Sequence, residues 1–526
     1  MRLSTFSYIQ PALMQPDGRI VLIGMATDGP VQRLFILKTG TAVAQLGENE
    51  LARSYDALLY AGVPRENLLV YRLNGRHSKL RLVQGGTETL TVQSIGASDE
   101  DNELFVEVRA SDVFVFSNYK ETSTKINFKR RYRFSDYPYL GQLADAINED
   151  AALGLCDVVA REVFDGETVN LLTEPGMYSL SGGSNEATLC ASESTDWATY
   201  ESKYWPYFYR GVLGADYTGE SVTPLMNVPS EILLFTDLPA EVSTDIVSFA
   251  GRIAEQKTQE QGILCTSLFH VSPLPEEKSL RPGEYMVSAN TYFDIAEQTI
   301  LDFEPKAEQE AFIEKLRTLF NEEDRNWSHM QYVQIVVGET GQEDTNVFGS
   351  VPYAALYALS DFRDSLANQT LPGVNLLRKP LSKSVVATLQ ANGYICIVPS
   401  IRKKYVIPYA QSVAYPYAKR VGNFTNRRLM QAIGRTLRDK MDSFIGQPIN
   451  YFPATTASKI VEDYLKSFVE EGVLSSYSVS VPTDYQSISG AYIAVVLGVY
   501  DEVREVAVRL SVREQKWEVD LWNPTD

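Results

Sequence analysis

Histidine is scarce in this chain of 526 residues, which contains three: His77, His270 and His329. Imidazole is the side chain used most for proton transfer near neutral pH and for binding transition metals. The three histidines lie far apart and form no HExxH pair, and no two cysteines have the short spacing of a zinc site. His270 ends an apolar run, which is typical of a structural histidine. The spacing therefore predicts no metal centre and no histidine-based catalytic site.

Motifs for phosphate binding and for an activated nucleophile are also missing from the sequence. There is no GxxxxGK[ST] loop, no GxGxxG fingerprint and no GxSxG elbow. Two glycine-rich stretches, 181–183 (SGG) and 338–341 (GETG), are typical of plain turns. We therefore expect no cofactor and no catalytic residue, and the chain is predicted not to be an enzyme.

Carboxylates are abundant and could also perform acid–base chemistry. Glu308, Glu310 and Glu314 precede the acidic run 322–324 (EED). Such a pattern is typical of a solvated acidic helix and its exit. A pair of carboxylates could still meet in a cleft without any motif. A cytoplasmic α/β enzyme with an inserted β domain is therefore the alternative hypothesis.

The net charge of −19, from 67 acidic and 48 basic residues, disfavours binding along a phosphate backbone. No apolar run approaches the roughly 18 residues of a membrane span, and the first residues lack the apolar stretch of a signal peptide. We expect no nucleic acid partner and no membrane insertion. The four cysteines, Cys156, Cys190, Cys265 and Cys396, lie far apart in the sequence. Three of them, Cys156, Cys265 and Cys396, lie in apolar runs and are predicted to be reduced, buried thiols.

Basic residues concentrate between Ile401 and Lys440, where ten Lys or Arg residues accompany one acid, Asp439. Part of this segment is a predicted helix over 425–445. One face of that helix is apolar, and the opposite face carries four arginines. Four roles are open for this cationic face: a solvated helix surface, a membrane-surface helix, a nucleic acid contact, or a docking face for an acidic protein. The four residues are Arg427, Arg428, Arg435 and Arg438.

Strand–helix–strand order occurs twice along the chain. Long apolar runs such as 19–26 (RIVLIGMA) predict buried strands, and apolar residues three or four apart predict helices. Between the two units, short alternating segments within 76–180 predict an antiparallel insertion. The predicted elements of the two units are strands 19–26, 67–73, 231–237, 262–271 and 331–338 and helices 41–60, 243–255 and 305–320.

The predicted fold class is α/β (mixed α+β): a discontinuous multi-domain trunk with a covered mixed sheet, an inserted antiparallel β domain and a C-terminal α+β domain. Residues 181–230, rich in Tyr and Trp, fit neither period and are predicted to be a variable surface excursion. The remaining predicted units are an N-terminal arm (1–18), a first trunk segment (19–75), the inserted β-rich domain (76–180), a second trunk segment (231–420), the C-terminal domain (421–505) and a C-terminal strand (506–526).

Both ends of the chain contain strand-like segments. Thr5–Gln10 is too short to fold alone, and apolar residues alternate with others over 506–513. Such strands pair within their own domain by default, but they can also complete the sheet of a neighbouring copy. The candidate intersubunit strand residues are Phe6, Tyr8, Val506, Val508, Leu510 and Val512.

The order of several motifs resembles the tail-sheath family of contractile phages and related bacteriocins. Three of them lie in the N-terminal region: 19–30 (RIVLIGMATDGP), 43–47 (VAQLG) and 68–73 (LLVYRL). One departure is 446–450 (GQPIN), where the family often has a Phe-Glu-Pro-Asn-like turn. The other matching segments are 51–61 (LARSYDALLYA), 180–184 (LSGGS), 371–376 (LPGVNL), 389–398 (LQANGYICIV), 406–413 (VIPYAQSV), 426–433 (NRRLMQAI) and 444–450 (FIGQPIN).

The resemblance implies a structural subunit of a contractile tail sheath, which polymerises as stacked rings around a tail tube and contracts to drive the tube through the host envelope. It implies a virion tail assembled in the cytoplasm of a host bacterium, with tube, baseplate and tail terminator proteins as partners. A headless contractile injection system is the nearer alternative. Residues 421–505 become the inner, tube-facing domain, and the four arginines become candidate tube contacts. The arms that exchange strands become Thr5–Gln10 and Val506–Leu521.

Overall fold

The structure, a computed structural model, describes most of the chain. The described residues are 6–8, 18–31, 33–84, 86–121, 123, 125–163, 169, 175–185, 197–213, 225–226, 228–261, 264–272, 279–280, 283–286, 291–296, 298–302, 307–342, 345–378, 380–400, 402–414, 424–441, 454–480, 494–499, 507–513 and 516–522.

An eight-stranded sheet forms the centre of the trunk, with spatial order β1-β3-β4-β2-β12-β13-β18-β22. The six strands from β4 to β22 run parallel; at one edge β3 pairs antiparallel with β4, and β1 pairs antiparallel with β3. The strands are β1 (Phe6–Tyr8), β2 (Ile20–Gly24), β3 (Leu34–Leu37), β4 (Leu68–Arg72), β12 (Ile232–Pro239), β13 (Thr266–His270), β18 (Val333–Val337) and β22 (Ile395–Cys396).

Helices cover both faces of this sheet, because alternate residues of each strand point to opposite sides. Val21 and Ile23 of β2 contribute to one core, and Ile20 and Leu22 contribute to the other. The helices that contribute to the first core are α4 (Trp197–Leu213), α5 (Thr244–Gln261), α6 (Ala307–Thr318) and α9 (Lys383–Ala391). Those of the second include α1 (Ala42–Leu46), α2 (Glu50–Tyr60) and α8 (Ser350–Leu359), and Phe424 also belongs to this core.

The predicted single helix over 41–60 is wrong, because it is two helices. Helix α1 ends at Leu46, and Gly47 follows with a φ of 83°, a left-handed conformation that favours glycine. The Asn49 side chain then caps α2 by accepting a hydrogen bond from the Ala52 amide at 2.9 Å. The non-helical residues 47–49 therefore interrupt a pattern whose apolar spacing looks continuous.

The predicted surface excursion over 181–230 is also wrong for its helical portion. Helix α4 places Tyr200, Tyr204, Phe208 and Val212 in the first core, where all four are buried. These residues are four apart and therefore share one face of the helix. The aromatic content of this segment reflects core packing against the sheet.

The inserted region contains two antiparallel sheets around its own core. Helix α3 (Leu140–Ala152) packs against this core with its buried face. One sheet has the order β10-β6-β5 and the other β11-β7-β8-β9. The strands are β5 (Lys79–Gln84), β6 (Thr87–Ser94), β7 (Leu104–Val108), β8 (Asp112–Ser117), β9 (Lys129–Arg133), β10 (Val158–Glu162) and β11 (Gly176–Ser179).

Smaller sheets lie between and after the trunk strands. One has the order β14-β21-β19-β20, another β15-β16-β17, and a third pairs β23 with β24. The strands are β14 (Ser279–Leu280), β15 (Glu284–Met286), β16 (Thr291–Asp294), β17 (Thr299–Asp302), β19 (Glu339–Gln342), β20 (Thr345–Phe348), β21 (Leu376–Arg378), β23 (Val398–Ser400) and β24 (Lys404–Val406). The short helix α7 (Glu322–Asn326) precedes the 3-10 turn Ser328–Tyr332, and two further 3-10 turns, Arg65–Asn67 and Asp99–Glu103, precede β4 and β7.

Two long helices and two pairs of strands form the C-terminal region. Helices α10 (Phe424–Met441) and α11 (Ala454–Glu470) share a small core with the pair β25 (Leu474–Ser480) and β26 (Ala494–Val499). The last pair, β27 (Ala507–Arg513) and β28 (Lys516–Trp522), is a separate antiparallel hairpin. The expectation of a mixed α/β chain with several sheets is confirmed, and the predicted domain boundaries stay predictions.

Candidate assembly surfaces

The first turns of α10 are enclosed by the trunk, so the predicted cationic face does not exist there. All residues from Phe424 to Leu429 are buried. Arg427 donates from Nη1 to the carbonyl of Gln331, and its guanidinium carbon lies 4.2 Å from the centre of the Tyr332 ring. Desolvation on burial lowers the pKa of Arg427 below its ordinary value. Arg427 therefore joins α10 to the trunk of its own chain.

Arg428 makes a similar internal contact at the end of α8. Its Nη2 donates to the carbonyls of Ser360 at 2.9 Å and Tyr357 at 3.2 Å, and its guanidinium carbon lies 4.1 Å from the centre of the Tyr357 ring. Carbonyls at a helix C-terminus lack intrahelical partners, and a cation there is favourable. The prediction that Arg427 and Arg428 are exposed docking residues is wrong, because these contacts bury both side chains.

Arg435 lies further along α10 and is half-buried. It lines a cavity of about 530 Å³ at the junction between α10 and the trunk. The side chain of Arg438 is outside the described residues, so its predicted role stays a prediction. The cavity is lined by Gly18, Glu231, Leu264, Tyr357, Ala358, Leu359, Ser360, Asp361, Phe362, Arg428, Gln431, Ala432 and Arg435.

Strand β1 is paired within its own chain. Phe6 lies opposite Leu37, and Tyr8 lies opposite Phe35, at the outer edge of the eight-stranded sheet. The default pairing within the domain is therefore the one observed for Phe6 and Tyr8. An exchange between copies would require β1 to leave β3, and it stays a prediction.

The C-terminal hairpin also pairs with itself. Its register places Val508 opposite Leu521, Leu510 opposite Val519, and Val512 opposite Trp517. Val506 lies outside the described residues. Since both strands belong to a two-stranded sheet, each has one edge without a partner strand in the described structure. The same holds for the pair of β25 and β26.

The carboxyl ends of the parallel strands are where α/β enzymes usually bind their ligands. Between β2 and β12 this edge is filled by the buried side chain of Asp237, which accepts hydrogen bonds from the Met25 amide and from Thr236 Oγ1. Burial, and then the nearby Glu50 carboxylate, raise the pKa of Asp237 well above its ordinary value. The buried Asp237 carboxyl thus lies at the edge where the alternative hypothesis would place a ligand.

Glu241 is a second buried carboxyl near this edge. Its Oε1 accepts a hydrogen bond from the Ser272 amide at 2.7 Å, and burial raises the pKa of Glu241 to about 7. The folded protein therefore binds a proton at Glu241 at a pH at which the unfolded chain has released it. Stability is lost as the pH rises from the unfolded pKa, near 4.5, to the folded pKa, near 7.

Glu241→Gln should remove this contribution to the pH dependence. Relative to the parent chain, the free energy of unfolding of the variant should rise by about 2 to 3 kcal/mol between pH 4.5 and pH 7, since one pKa unit corresponds to about 1.4 kcal/mol. Urea titrations across this range measure the difference. The exposed Glu322→Gln should follow the parent curve. Parallel curves for Glu241→Gln and the parent would contradict a protonated Glu241.

The three histidines lie in separate surroundings. His270 is buried and stacks on the Phe348 ring at 3.7 Å, and burial lowers its pKa to about 3, so it is neutral. A ring nitrogen of His77 lies 3.0 Å from the Gly96 carbonyl, and Nε2 of His329 lies 2.8 Å from Ser248 Oγ. Among the described residues, no three His, Cys, Asp or Glu side chains are placed to hold a metal ion.

Three of the four cysteines are buried free thiols, as predicted: Cys156, Cys265 and Cys396. Burial raises the pKa of Cys265 to about 11, which keeps the thiol protonated. Cys190 lies outside the described residues. No helix in the described portion of the chain combines the length and apolar character needed to cross a bilayer.

The region between β4 and β12 contains a basic strand that the negative net charge of the chain does not reveal. Strand β9 has the sequence KRRYR, with four cations in five residues, in a chain of net charge −19. Three of them, Lys129, Arg131 and Arg133, are exposed, and Arg131 is paired with Asp112. Counting the charged residues in each predicted strand would have identified this basic strand from the sequence.

Comparison with known proteins gives distant likenesses. No protein-family model matches the sequence, and no curated protein matches it. Among solved structures, the sheath tail protein from Desulfitobacterium hafniense is 11% identical with a TM-score of 0.46, over 94% of this chain and 98% of that one. A sheath tail protein from Listeria innocua is 12% identical with a TM-score of 0.46, over 92% and 96%. The chain is similar to sheath tail proteins.

A third likeness is to the helical sheath of the anti-feeding prophage in its contracted state. It is 12% identical with a TM-score of 0.38, and it covers 56% of this chain and 75% of that one. All three likenesses are thus distant in sequence and in backbone superposition.

Proposed function

We propose that this chain is the structural subunit of a contractile tail sheath. In this proposal, copies polymerise as stacked rings around a tail tube and contract to drive the tube through a host envelope. The supporting sequence feature is the order of motifs from 19–30 to 444–450, which resembles the tail-sheath family. The alternative, a cytoplasmic α/β enzyme with an inserted β domain, has less support because the buried Asp237 side chain fills the carboxyl edge of the sheet between β2 and β12.

The structural observation that carries the proposal is the hairpin of β27 and β28. A two-stranded hairpin is marginally stable by itself in water and needs a third strand or a packed surface. Its register sets Val508, Leu510 and Val512 opposite apolar residues, while the alternating residues between them are polar or small. Strand addition between copies would satisfy the free edges of this hairpin and of β25 and β26.

Contraction in this proposal needs no cofactor. If each subunit buries an additional ~200 Å² of apolar surface, the gain is about 5 kcal/mol per copy by area accounting, an upper figure before ordering costs. Strands exchanged between copies would link them into one cooperative lattice, so that the small free energy gained by each copy is summed over the whole lattice. The tube protein, baseplate, terminator and location in a virion tail belong to the proposal, and a headless contractile particle would use the same contacts.

Assembly of the purified full-length chain tests the proposal. We expect long tubular polymers in negative-stain electron microscopy and a pelletable fraction in sedimentation. Val519→Asp should abolish tubes, because it places a charge at an apolar position paired with Leu510. Glu518→Ser, next in sequence and opposite Ser511, is the matched control and should assemble. A parent chain that stays monomeric at all concentrations, or a Val519→Asp variant that forms normal tubes, would refute the proposal.

A further inference from the structure

The sheet of β11, β7, β8 and β9 has an outer face on which cations and aromatic rings alternate. The antiparallel register sets Phe105 opposite Phe116, Phe116 opposite Lys129, and Phe114 opposite Arg131. Directly paired residues lie on the same side of a sheet. The basic face is defined by Phe105, Arg109, Phe114, Phe116, Lys129, Arg131 and Arg133.

Three cations of the basic face lie close to the ring of Phe114. The Phe114 ring has the guanidinium carbon of Arg109 at 4.1 Å, Lys129 Nζ at 4.8 Å and the guanidinium carbon of Arg131 at 5.5 Å. Phe105 stacks on Phe116 at 5.3 Å beside them. Cation–π contacts of this kind hold the charged groups in place, so less side-chain entropy is lost when a partner binds.

Two carboxylates already pair with cations of this face. Arg131 Nη2 lies 2.5 Å from Asp112 Oδ2, and Arg109 Nε lies 2.8 Å from Glu107 Oε1. Lys129 and Arg133 are exposed cations beyond these two pairs. The basic face therefore carries more positive than negative charge. Its two existing ion pairs show that carboxylates can bind beside its cations.

An acidic protein surface fits the basic face better than a nucleic acid. Proteins that bind single strands stack bases on open aromatic faces, whereas cations already cover the Phe114 ring. Glu107 and Asp112 would also repel a phosphate backbone that runs along the sheet. A carboxylate-bearing surface requires neither an open ring nor a continuous run of positive charge.

The same chain carries a complementary acidic surface. The side chains of Glu310, Glu322 and Glu323 are exposed on α6 and at the start of α7, whereas Glu314 of α6 pairs with the exposed Arg317 at 3.2 Å. Asp324 is used in the capping box of α7, so Glu322 and Glu323 are the outward carboxylates of that turn. We call these exposed carboxylates the acidic α6–α7 surface. Because the basic face and the acidic α6–α7 surface lie in different parts of the chain, they allow a head-to-tail contact between copies.

We propose that the basic face binds the acidic α6–α7 surface of a second copy of this chain. Such a heterologous contact links copies in one direction and can propagate through a polymer. The contact gives the proposed self-assembly a lateral interface that is separate from the terminal strands. It rests on the proposed function for its place in a lattice, but contact between two copies can be measured without tubes.

Zero-length crosslinking of the full-length protein tests this contact. Equal amounts of ordinary and nitrogen-15-labelled chain are mixed, treated with a carbodiimide and digested for mass spectrometry. We expect Lys129 to be joined to Glu322 or Glu323 in peptides of mixed isotope composition. The yield should fall at least tenfold when salt is raised well above ~0.15 M, where the screening length is about 8 Å. Lys129 joined to no carboxylate, to other carboxylates, or only within one copy would overturn the proposal.

Reversing the charges on the two surfaces is a second test of this contact. Lys129→Glu with Arg133→Glu should reduce association in sedimentation velocity, and adding Glu322→Lys with Glu323→Lys should restore it. Lys120→Glu with Arg161→Glu changes the charge equally at exposed positions of the same domain and should associate like the parent. Thermal melts check that each variant folds. If tubes form without the Lys129 crosslink, this contact is refuted but the sheath proposal is not. If the crosslink forms without tubes, the sheath proposal is refuted but this contact is not.

Discussion

Arg428→Ala should lower the free energy of unfolding by about 4 kcal/mol, the sum expected for two charge-assisted hydrogen bonds and one cation–π contact. The side chain is buried, donates to the carbonyls of Ser360 and Tyr357, and lies over the Tyr357 ring. Its loss leaves two carbonyls unpaired at the end of α8. Urea titration followed by intrinsic fluorescence measures the change.

Arg435→Ala is the matched control, since it removes the same side chain from the same helix beside the same cavity. Arg435 is half-buried and lies two turns further along α10, so its truncation should cost less free energy of unfolding than that of the buried Arg428. Equal losses for the two variants would contradict the structural role of Arg428. The difference between them measures how firmly α10 is anchored to the trunk.

This anchoring changes how the tube-contact hypothesis can be tested. Reversing all four arginines at once would unfold the start of α10, because Arg427 and Arg428 are buried against their own trunk. A loss of assembly would then report instability and not a lost contact. Arg435→Glu and Arg438→Glu are the informative substitutions, since they lie beyond the buried turns.

The trunk could be predicted from the sequence because its signals are local. The strands are apolar runs of about five residues, and the helices between them have regular apolar spacing. The run 19–26, for example, contains β2, whose five residues are all buried. Both faces of the sheet are covered, and a continuous apolar run is the expected pattern for that case.

The surroundings of α10 could not be predicted in the same way. Helical spacing correctly places Leu429 and Ile433 in a core, but it also assigns Arg427 and Arg428 to a solvent face. Their burial depends on α8 and the turn before β18, which are far away in sequence. A long cationic side chain can cover apolar surface and donate to carbonyls, so charge alone does not show exposure.

The pairing partners of the strands at the two chain ends also could not be predicted from the sequence. A three-residue strand such as β1 carries no signal for its partner, and its pairing with β3 depends on the position of an edge in the folded sheet. The hairpin of β27 and β28 is different, because alternation over seven residues is visible in the sequence. Alternation fixes which residues share a side, but not which sheet they join.

In the segment 197–213, the spacing of the aromatic residues in the sequence could have predicted a helix. Tyr200, Tyr204, Phe208 and Val212 recur every four residues, which predicts one buried helix face. Pro206 lies inside the same segment and weakens a helical interpretation, although α4 continues through it. The tertiary contacts of the aromatic face outweigh the cost of the proline.

Phe208→Ala should therefore be strongly destabilising, by about 3 to 5 kcal/mol, as expected for a buried phenylalanine that leaves a cavity. The ring lies 5.8 Å from that of Phe249 and 6.1 Å from that of Phe235, so its loss separates α4 from both α5 and β12. Urea titration measures the effect. Tyr60→Ala on α2 removes an aromatic side chain that is 62% exposed and should change stability by less than about 1 kcal/mol. If Phe208→Ala were as mild as Tyr60→Ala, α4 would not belong to the trunk core, and residues 181–230 would be a surface excursion after all.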